Sequence, residues 1–457
     1  MSKSKTVFVC VECGFTSPKW LGKCPDCNNW NSLVEESRFT KKGSLRSDSK
    51  SSSEKKLRKI IELGEVVEQK IETGVNELDR VLGGGIVPGS LTLIGGEPGI
   101  GKSTLLLMLC DQISKRLKNK KIIYVSGEES EGQIAGRARR LGITGTNIEV
   151  VNETSWESVK QLITNEDISL LIIDSIQTIY NPTLESAPGT VSQIRDVTFE
   201  IMNFIKQRET ACFIVGHITK DGNIAGPKIL EHMVDTVIYF EGDQDGMYRI
   251  MRSMKNRYGP TSEIGLFEMQ GSGLAEVVNP SKYFVDEDVE KKVGRAITCV
   301  LEGTRPLFLE IQALVVENKY GNGRRASQGI DNNRVAMLIA VIEKHLGIPI
   351  GFNDIYVNLV GGMKITTRDV DLAVIAALIS SFKNVPVPQD AVFVGEVGLA
   401  GEIRNVPKML ERYNEIAHFN YKTLVTSSKV EKSVKQKSDA AIYGINSIDS
   451  ILKVLKV

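Results

Sequence analysis

Residues Gly95 to Thr104 read GGEPGIGKST, and the reading of this stretch decides the fold. The run before it, Leu91-Thr92-Leu93-Ile94, is apolar and of strand length, and Leu105-Leu106-Leu107-Met108-Leu109 after it continues as a helix. Gly96, Gly101, Lys102 and Ser103 keep the P-loop spacing, in which a glycine-rich turn aims backbone N–H groups at phosphate oxygens. The turn opens a helix, whose N-terminal dipole favours negative charge. The segment Gly96, Glu97, Pro98, Gly99, Ile100, Gly101, Lys102, Ser103 and Thr104 is therefore expected to bind nucleotide. Lys102 would reach the β- and γ-phosphates and Ser103 would offer its hydroxyl to Mg²⁺, so ATP and Mg²⁺ are the expected cofactors.

The chain has 457 residues, room for about three domains. With 41% hydrophobic and 25% charged residues it has the composition of an ordinary soluble protein with a sizeable core. A net charge of only +1 means that any nucleic-acid contact must come from local basic patches. The sequence contains no apolar run of membrane-spanning length, and MSKSKTVFVC lacks the features of a secretory signal. A cytoplasmic protein with no membrane partner is expected.

Four of the seven cysteines, Cys10, Cys13, Cys24 and Cys27, form two Cys-x-x-Cys pairs ten residues apart. Two such turns present four thiolates to one Zn²⁺, and a segment this short needs the metal to fold, so residues 1–34 read as a zinc ribbon rather than as two disulfides or a redox pair. Trp20 and Trp30 are either a contact surface or packing around that metal. Cys110, Cys212 and Cys299 are scattered singly in apolar segments and read as buried thiols. Residues 35–58 are rich in Ser, Lys, Arg and Glu, which cannot pack, and read as a tether.

From Thr73 to Gly89 the sequence TGVNELDRVLGGGIVPG leads into the P-loop strand. Here the chain resembles the RecA-like ATPases, whose lead-in is TGxxxLDxxLGGGxxxG. The resemblance implies an α/β fold, a twisted and mainly parallel sheet flanked by helices, for residues 59–280. Strand-like runs at 122–125, 148–151, 170–174 and 212–215, separated by helix-length segments, agree with it. Later runs at 234–240, 248–254 and 264–269 have short connections and are expected to finish the sheet antiparallel.

Three sites on this sheet carry chemistry. Asp174 ends the apolar strand Leu170-Leu171-Ile172-Ile173 and is placed to hold Mg²⁺ through water. Glu128, in Tyr124-Val125-Ser126-Gly127-Glu128-Glu129, sits where RecA-like enzymes keep the glutamate that orients the attacking water, with Glu129 as the adjacent candidate. His217, after the strand 212–215, is a candidate γ-phosphate sensor ahead of a loop, 221–235, suited to face DNA.

Lys255-Asn256-Arg257-Tyr258-Gly259, together with the paired cysteines, narrows the resemblance to the bacterial DNA-repair RadA (Sms) family, whose hallmark is KNRFG; Tyr258 stands where Phe is usual. The resemblance implies a homo-oligomeric ring, a hexamer, on single-stranded or branched DNA, with Lys255 and Arg257 completing the ATP site of the next subunit or contacting DNA. It also implies an ATP-driven motor that acts in recombinational repair by helicase action or branch migration, with recombinase RecA or the replicative helicase machinery as candidate partners. A RecA-like recombinase accessory and a nucleotide-gated scaffold are the alternatives, and an ATP-dependent protease is disfavoured.

Residues 281–457 resemble the α+β proteolytic domain of Lon, in the segments Val360–Lys364 with Asp371–Val374, and Val394–Ile403. Where Lon carries its serine nucleophile and its lysine, the alignment places Asp369 and Leu410, which supply neither nucleophile nor base. A fold without peptidase activity is expected. The cluster Lys319-Tyr320-Gly321-Asn322-Gly323-Arg324-Arg325, with Arg334, is either a solvated face or a phosphate track.

Overall fold

A computed structural model describes residues 4–10, 15–26, 28–39, 69–217, 229–242, 248–261, 263–277, 281–285, 292–318, 323–419, 421–430 and 440–457. Cys13 and Cys27, residues 40–58 of the tether, residues 218–228 after His217, and Lys319 to Asn322 lie outside the described residues. The tether is corrected at residues 35–39, which extend the ribbon as a strand paired with residues 4–8, because backbone pairing needs no apolar side chains. The chain divides into two compact units that part between Glu276 and Val277.

The first unit opens with an antiparallel sheet of three strands, β1 (Ser4–Cys10), β2 (Thr16–Ser17) and β3 (Leu33–Phe39), in the order β2-β1-β3. Its main body alternates helix and strand: α1 (Asn76–Leu82), β4 (Leu91–Gly96), α2 (Lys102–Arg116), β5 (Lys121–Ser126), α3 (Glu131–Arg140), β6 (Ile148–Asn152), α4 (Trp156–Ile163), β7 (Ile168–Asp174), α5 (Val191–Arg208), β8 (Ala211–His217) and α6 (Ile229–Met233). It closes with β9 (Thr236–Gly242), β10 (Tyr248–Asn256), β11 (Ile264–Gln270) and β12 (Gly273–Glu276).

The strands form one nine-stranded sheet in the order β12-β11-β10-β9-β4-β8-β7-β5-β6. Its parallel strands read as continuous apolar runs because both faces are covered. Period-two alternation divides the side chains between two cores. Ile122 and Tyr124 join Leu105, Leu109 and Phe213 on one face, while Ile123 and Val125 join Trp156, Val197 and Ile201 on the other. Each such aliphatic side chain, fully buried, contributes about 1.5–3 kcal/mol. The expectation that the late strands are all antiparallel is corrected at β9, which runs parallel to β4 from Thr92↔Thr236 to Gly96↔Phe240. Strands β8 and β9 flank β4 on its two sides, so the chain between them crosses over and re-enters from the same end. From β9 onward the expectation holds: β9, β10, β11 and β12 form an antiparallel meander.

Two sequence motifs meet in this unit. Gly83, at φ +78°, ends α1 in the left-handed conformation, and a Cβ there would lie 2.8 Å from the Cα of Gly259. The lead-in and the KNRYG turn therefore pack backbone to backbone. Lys70 Nζ donates to the carbonyls of Gly83 (2.7 Å) and Tyr258 (2.6 Å), joining them further.

The second unit contains α7 (Ser281–Phe284), β13 (Arg295–Glu302), β14 (Arg305–Val316), β15 (Arg325–Gln328), α8 (Asn332–Leu346), a 3-10 turn (Ile350–Phe352), β16 (Asp354–Leu359), α9 (Asp371–Lys383), β17 (Ala391–Phe393), β18 (Glu396–Val397), β19 (Ile403–Arg404), α10 (Met409–His418), β20 (Thr423–Ser427), β21 (Ala441–Ile445) and α11 (Asp449–Leu455). Seven strands form a mixed sheet, β15-β16-β14-β13-β17-β20-β21, and β18 pairs with β19. Helix α9 is buried at every position from Asp371 to Ser380, which explains its all-round apolar sequence.

Two expectations for this unit change. Leu410 does not oppose Asp369: it is 47% exposed, and Arg412, two residues on and so on the opposite, buried side of α10, takes that place. Arg412 Nη2 donates to Asp369 Oδ2 at 2.6 Å, with both residues under 5% exposed. Arg334 is not a solvated cation either, since its Nε donates to Asp371 Oδ1 at 3.0 Å and its Nη2 to the Val397 carbonyl at 2.8 Å. A carboxylate at the head of a buried helix needs such a partner, and sequence spacing gives no sign of which arginine supplies it.

Candidate nucleotide site

A cleft of about 500 Å³ opens where β4, β5, β7 and β8 end, lined among others by Pro98, Gly99, Gly101, Lys102, Ser103, Thr104, Glu128, Asp174 and His217. The ends of parallel strands carry ligand crevices because the loops leaving them diverge there. Gly101 precedes α2 at φ +118°, a conformation open to glycine, and no side chain caps the helix. Its first N–H groups are thus left to a phosphate, together with the positive end of its dipole.

Lys102 is 5% exposed, and its Nζ donates to the carbonyls of Gly96 (2.7 Å) and Glu97 (2.9 Å). Burial lowers its ammonium from 10.5 to about 8, against the upward pull of the Asp174, Glu128 and Glu97 carboxylates. A lysine so shifted is cationic below about pH 8 and loses its charge above it. A bound triphosphate would return the charge, so the apparent kcat/KM for MgATP should fall about tenfold per pH unit above 8, while kcat holds to higher pH. Steady-state hydrolysis measured from pH 6.5 to 9.5 checks this.

Ser103 and Asp174 bring a hydroxyl and a carboxylate to one wall of the cleft, the hard oxygen donors that Mg²⁺ prefers. The buried Tyr124 hydroxyl donates to Asp174 Oδ2 at 2.5 Å and also contacts Ser103. Burial and Asp174 raise the phenol far above its usual range, so Tyr124 remains a donor that orients the carboxylate. These residues fit a magnesium ion.

Glu128 follows β5, and its Oε1 accepts from Ser175 Oγ at 2.5 Å and lies 3.0 Å from His217 Nε2. Burial alone would raise its carboxyl, but the bonds from Ser175 and His217 and the nearby Lys102 outweigh that and hold it below the usual range. The carboxylate is anionic at neutral pH and anchored through one oxygen. Glu129 is committed elsewhere, with Arg137 Nη2 2.6 Å from its Oε1. Ser130, capping α3 in a reciprocal box with Gln133, starts the helix just after both acids and so fixes where they point.

Of the residues expected to act here, the P-loop set, Glu128, Asp174 and His217 come together, and Lys255 and Arg257 do not line this cleft. Lys255 Nζ donates to the carbonyls of Glu231 (2.7 Å) and Val234 (2.8 Å), at the end of α6. Arg257 Nη1 lies 3.1 Å from Oδ1 of the buried Asp235, with the arginine side chain 54% exposed. Sequence reasoning missed Ser175, Tyr124, Arg137, Arg140 and Arg249, which line or brace the cleft. Arg249 Nε donates to the Ile100 carbonyl at 2.9 Å, holding the P-loop from β10. Ser175 was legible as the neighbour of Asp174, whereas nothing local in β10 marks Arg249.

In the ribbon, Cys10 and Cys24 are fully buried in one small cluster with Leu33. The Cys10 N–H donates to Phe15 O (2.8 Å), and the Cys24 carbonyl accepts from Asn28 N (2.9 Å). Two buried thiols in one cluster fit a tetrahedral Zn²⁺, which they would hold with Cys13 and Cys27. Elsewhere burial pushes the Cys299 thiol up to about 12 and raises Cys110 and Cys212 further, as expected of inert core thiols.

A P-loop at the head of α2, a strand-end carboxylate and an anchored glutamate on a mainly parallel sheet define a RecA-like P-loop ATPase, here preceded by a zinc ribbon. The AAA domain family matches residues 58–223, and the rubredoxin metal binding domain family matches residues 8–35. The chain is 45% identical over 455 residues to the DNA repair protein RadA of Listeria monocytogenes, covering 99% of each. It is 45% identical over 456 residues to that of Bacillus subtilis, again covering 99% of each, and 43% identical over 456 residues to that of Streptococcus pyogenes, covering 100% of each. Among solved structures, a KaiC-like protein from Pyrococcus horikoshii aligns with 46% of this chain and 99% of its own, at 18% identity and a TM-score of 0.39. The chain belongs to the DNA repair protein RadA family. No helix among the described residues is long and apolar enough to cross a membrane.

Proposed function

We propose that this chain is a DNA-dependent ATPase that works as a ring-shaped motor, a helicase that promotes branch migration of recombination intermediates during DNA repair. The observation that carries the reading is one cleft holding Lys102, Ser103, Asp174 and an anionic, anchored Glu128. Lys102 and the N–H groups heading α2 bind and orient the triphosphate. Ser103 and Asp174 would hold Mg²⁺, which supplies the charge that neutralises the β- and γ-oxygens. Glu128 orients the attacking water and takes up its proton, while Ser175 and His217 keep its carboxylate aimed. His217, at the end of β8, would sense the γ-phosphate through that same bond.

Negative charge on the transferring phosphoryl group calls for further cations, and Arg257 and Lys255 would supply them to the neighbouring subunit's site in a hexamer. Arg257 is the better placed of the two, being half exposed where Lys255 is tied to α6. The C-terminal unit is read as a Lon-like fold kept for assembly, without peptidase activity, because Asp369 at the serine position is locked to Arg412. Single-stranded and branched DNA are the proposed substrates, the cytoplasm the proposed location, and RecA or the replicative helicase machinery the proposed protein partners. Strand transfer on a labelled three-strand junction, with particle mass measured by light scattering in MgATP, tests this. Rings and ATP-dependent migration, both impaired by Arg257→Ala, are expected; full hydrolysis by lone subunits without migration would overturn it.

A further inference from the structure

We infer that the ribbon carries a stacking platform for unpaired nucleobases, built from Trp20 and Trp30 beside Gly22. The inference rests on single-stranded DNA being the substrate. Trp20 is 54% exposed and Trp30 72%, although indole is the largest apolar side chain a protein can bury. Neither ring packs around the cysteines: the cluster holding Cys10 and Cys24 is filled by Leu33, Phe8 and Phe15. The two indoles are also neighbours. A Cβ built on Gly22 would lie 3.6 Å from the Trp20 ring and 3.9 Å from the Trp30 ring, so both border one strip of bare backbone.

That strip is rigidly held. Lys23 and Trp30 face each other across an antiparallel bridge, and the Asn31 N–H donates to the Gly22 carbonyl at 2.8 Å. Lys23 Nζ stands 5.8 Å from the centre of the Trp30 ring, and Lys19 is exposed beside Trp20. Aromatic faces alternating with ammonium groups match a single strand, which offers a base face and a phosphate at each step. Duplex DNA hides its base faces in the stack. A protein partner would call for a closed apolar pocket, whereas Lys19, Lys23, Asp26, Asn28 and Asn29 around the strip are all exposed and polar.

The chain has three tryptophans, and the third, Trp156, is 2% exposed, so fluorescence open to a quencher comes from the ribbon pair. Full-length protein is titrated with oligo(dT), reading tryptophan quenching, anisotropy of the labelled oligonucleotide, and ATPase rate. Quenching is expected, and Trp20→Ala with Trp30→Ala should abolish it and weaken oligonucleotide binding by at least about tenfold. Trp20→Phe with Trp30→Phe should restore most of the affinity, which separates stacking from loss of fold. If the alanine variant binds oligo(dT) as tightly as the wild type, or if RecA protein quenches the pair and oligo(dT) does not, the platform is refuted while DNA-stimulated ATPase still stands. If no variant, the wild type included, binds or is stimulated, the substrate reading itself fails and the platform falls with it.

Discussion

Glu128→Gln is expected to lower kcat for ATP by two to four orders of magnitude while nucleotide binding is kept or tightened, about the range that loss of a general base produces. Glutamine fills the same space and can still accept from Ser175, so the wall of the cleft is retained. What disappears is a carboxylate that Ser175, His217 and Lys102 keep deprotonated despite its burial. Binding holds or improves because one negative charge facing the triphosphate is gone. Glu129→Gln is the informative partner. Glu129 is paired with Arg137 at 2.6 Å, so its loss should disturb α3 and leave kcat within a fewfold of the wild type. Single-turnover hydrolysis with nucleotide affinity measured in parallel checks both; a reversed order would make Glu129 the base.

Arg412→Leu should destabilise the C-terminal unit by about 3–5 kcal/mol, the usual consequence of leaving one member of a buried ion pair uncompensated. Asp369 is 4% exposed and Arg412 3%, so the carboxylate left behind is cut off from bulk solvent. Arg412 also donates to the Cys299 carbonyl, fastening α10 to β13. The double variant Asp369→Leu with Arg412→Met removes both charges and should recover much of the loss, because the desolvation cost goes with them. Leu410→Ala, on the exposed side of the same helix, should change stability by no more than about 0.5 kcal/mol. Urea unfolding of the full chain, following the transition of the C-terminal unit, distinguishes these outcomes. Equal effects from Arg412→Leu and Leu410→Ala would contradict the assignment.

The sequence was most legible where a short local pattern determines the geometry. The P-loop could be read because strand, glycine turn and helix are contiguous, and the strand-end Asp174 because an apolar run stops at a carboxylate. Glu128 needed the resemblance to RecA-like ATPases, since acids next to a helix start are common. What the chain brings from a distance was not legible. Ser175 and His217 could be placed along the chain, but not their meeting at Glu128 from the ends of β7 and β8; likewise Arg249 reaches the P-loop from 149 residues away, and Arg412 meets Asp369 across 43. The parallel direction of β9 was hidden for the same reason: a connection shows its length in sequence but not the side on which it returns. For Trp20 and Trp30 the sequence leaves packing and contact open, and their exposure removes packing around the cysteines.

The most direct measurement is the ATPase rate of the purified chain with and without single-stranded DNA, for the wild type and for Lys102→Ala. The expected result is stimulation of the wild type by DNA, weakening as salt rises, and turnover near zero for Lys102→Ala under every condition. A wild-type rate that DNA leaves unchanged at all salt concentrations, or a Lys102→Ala variant that hydrolyses normally, would contradict the account.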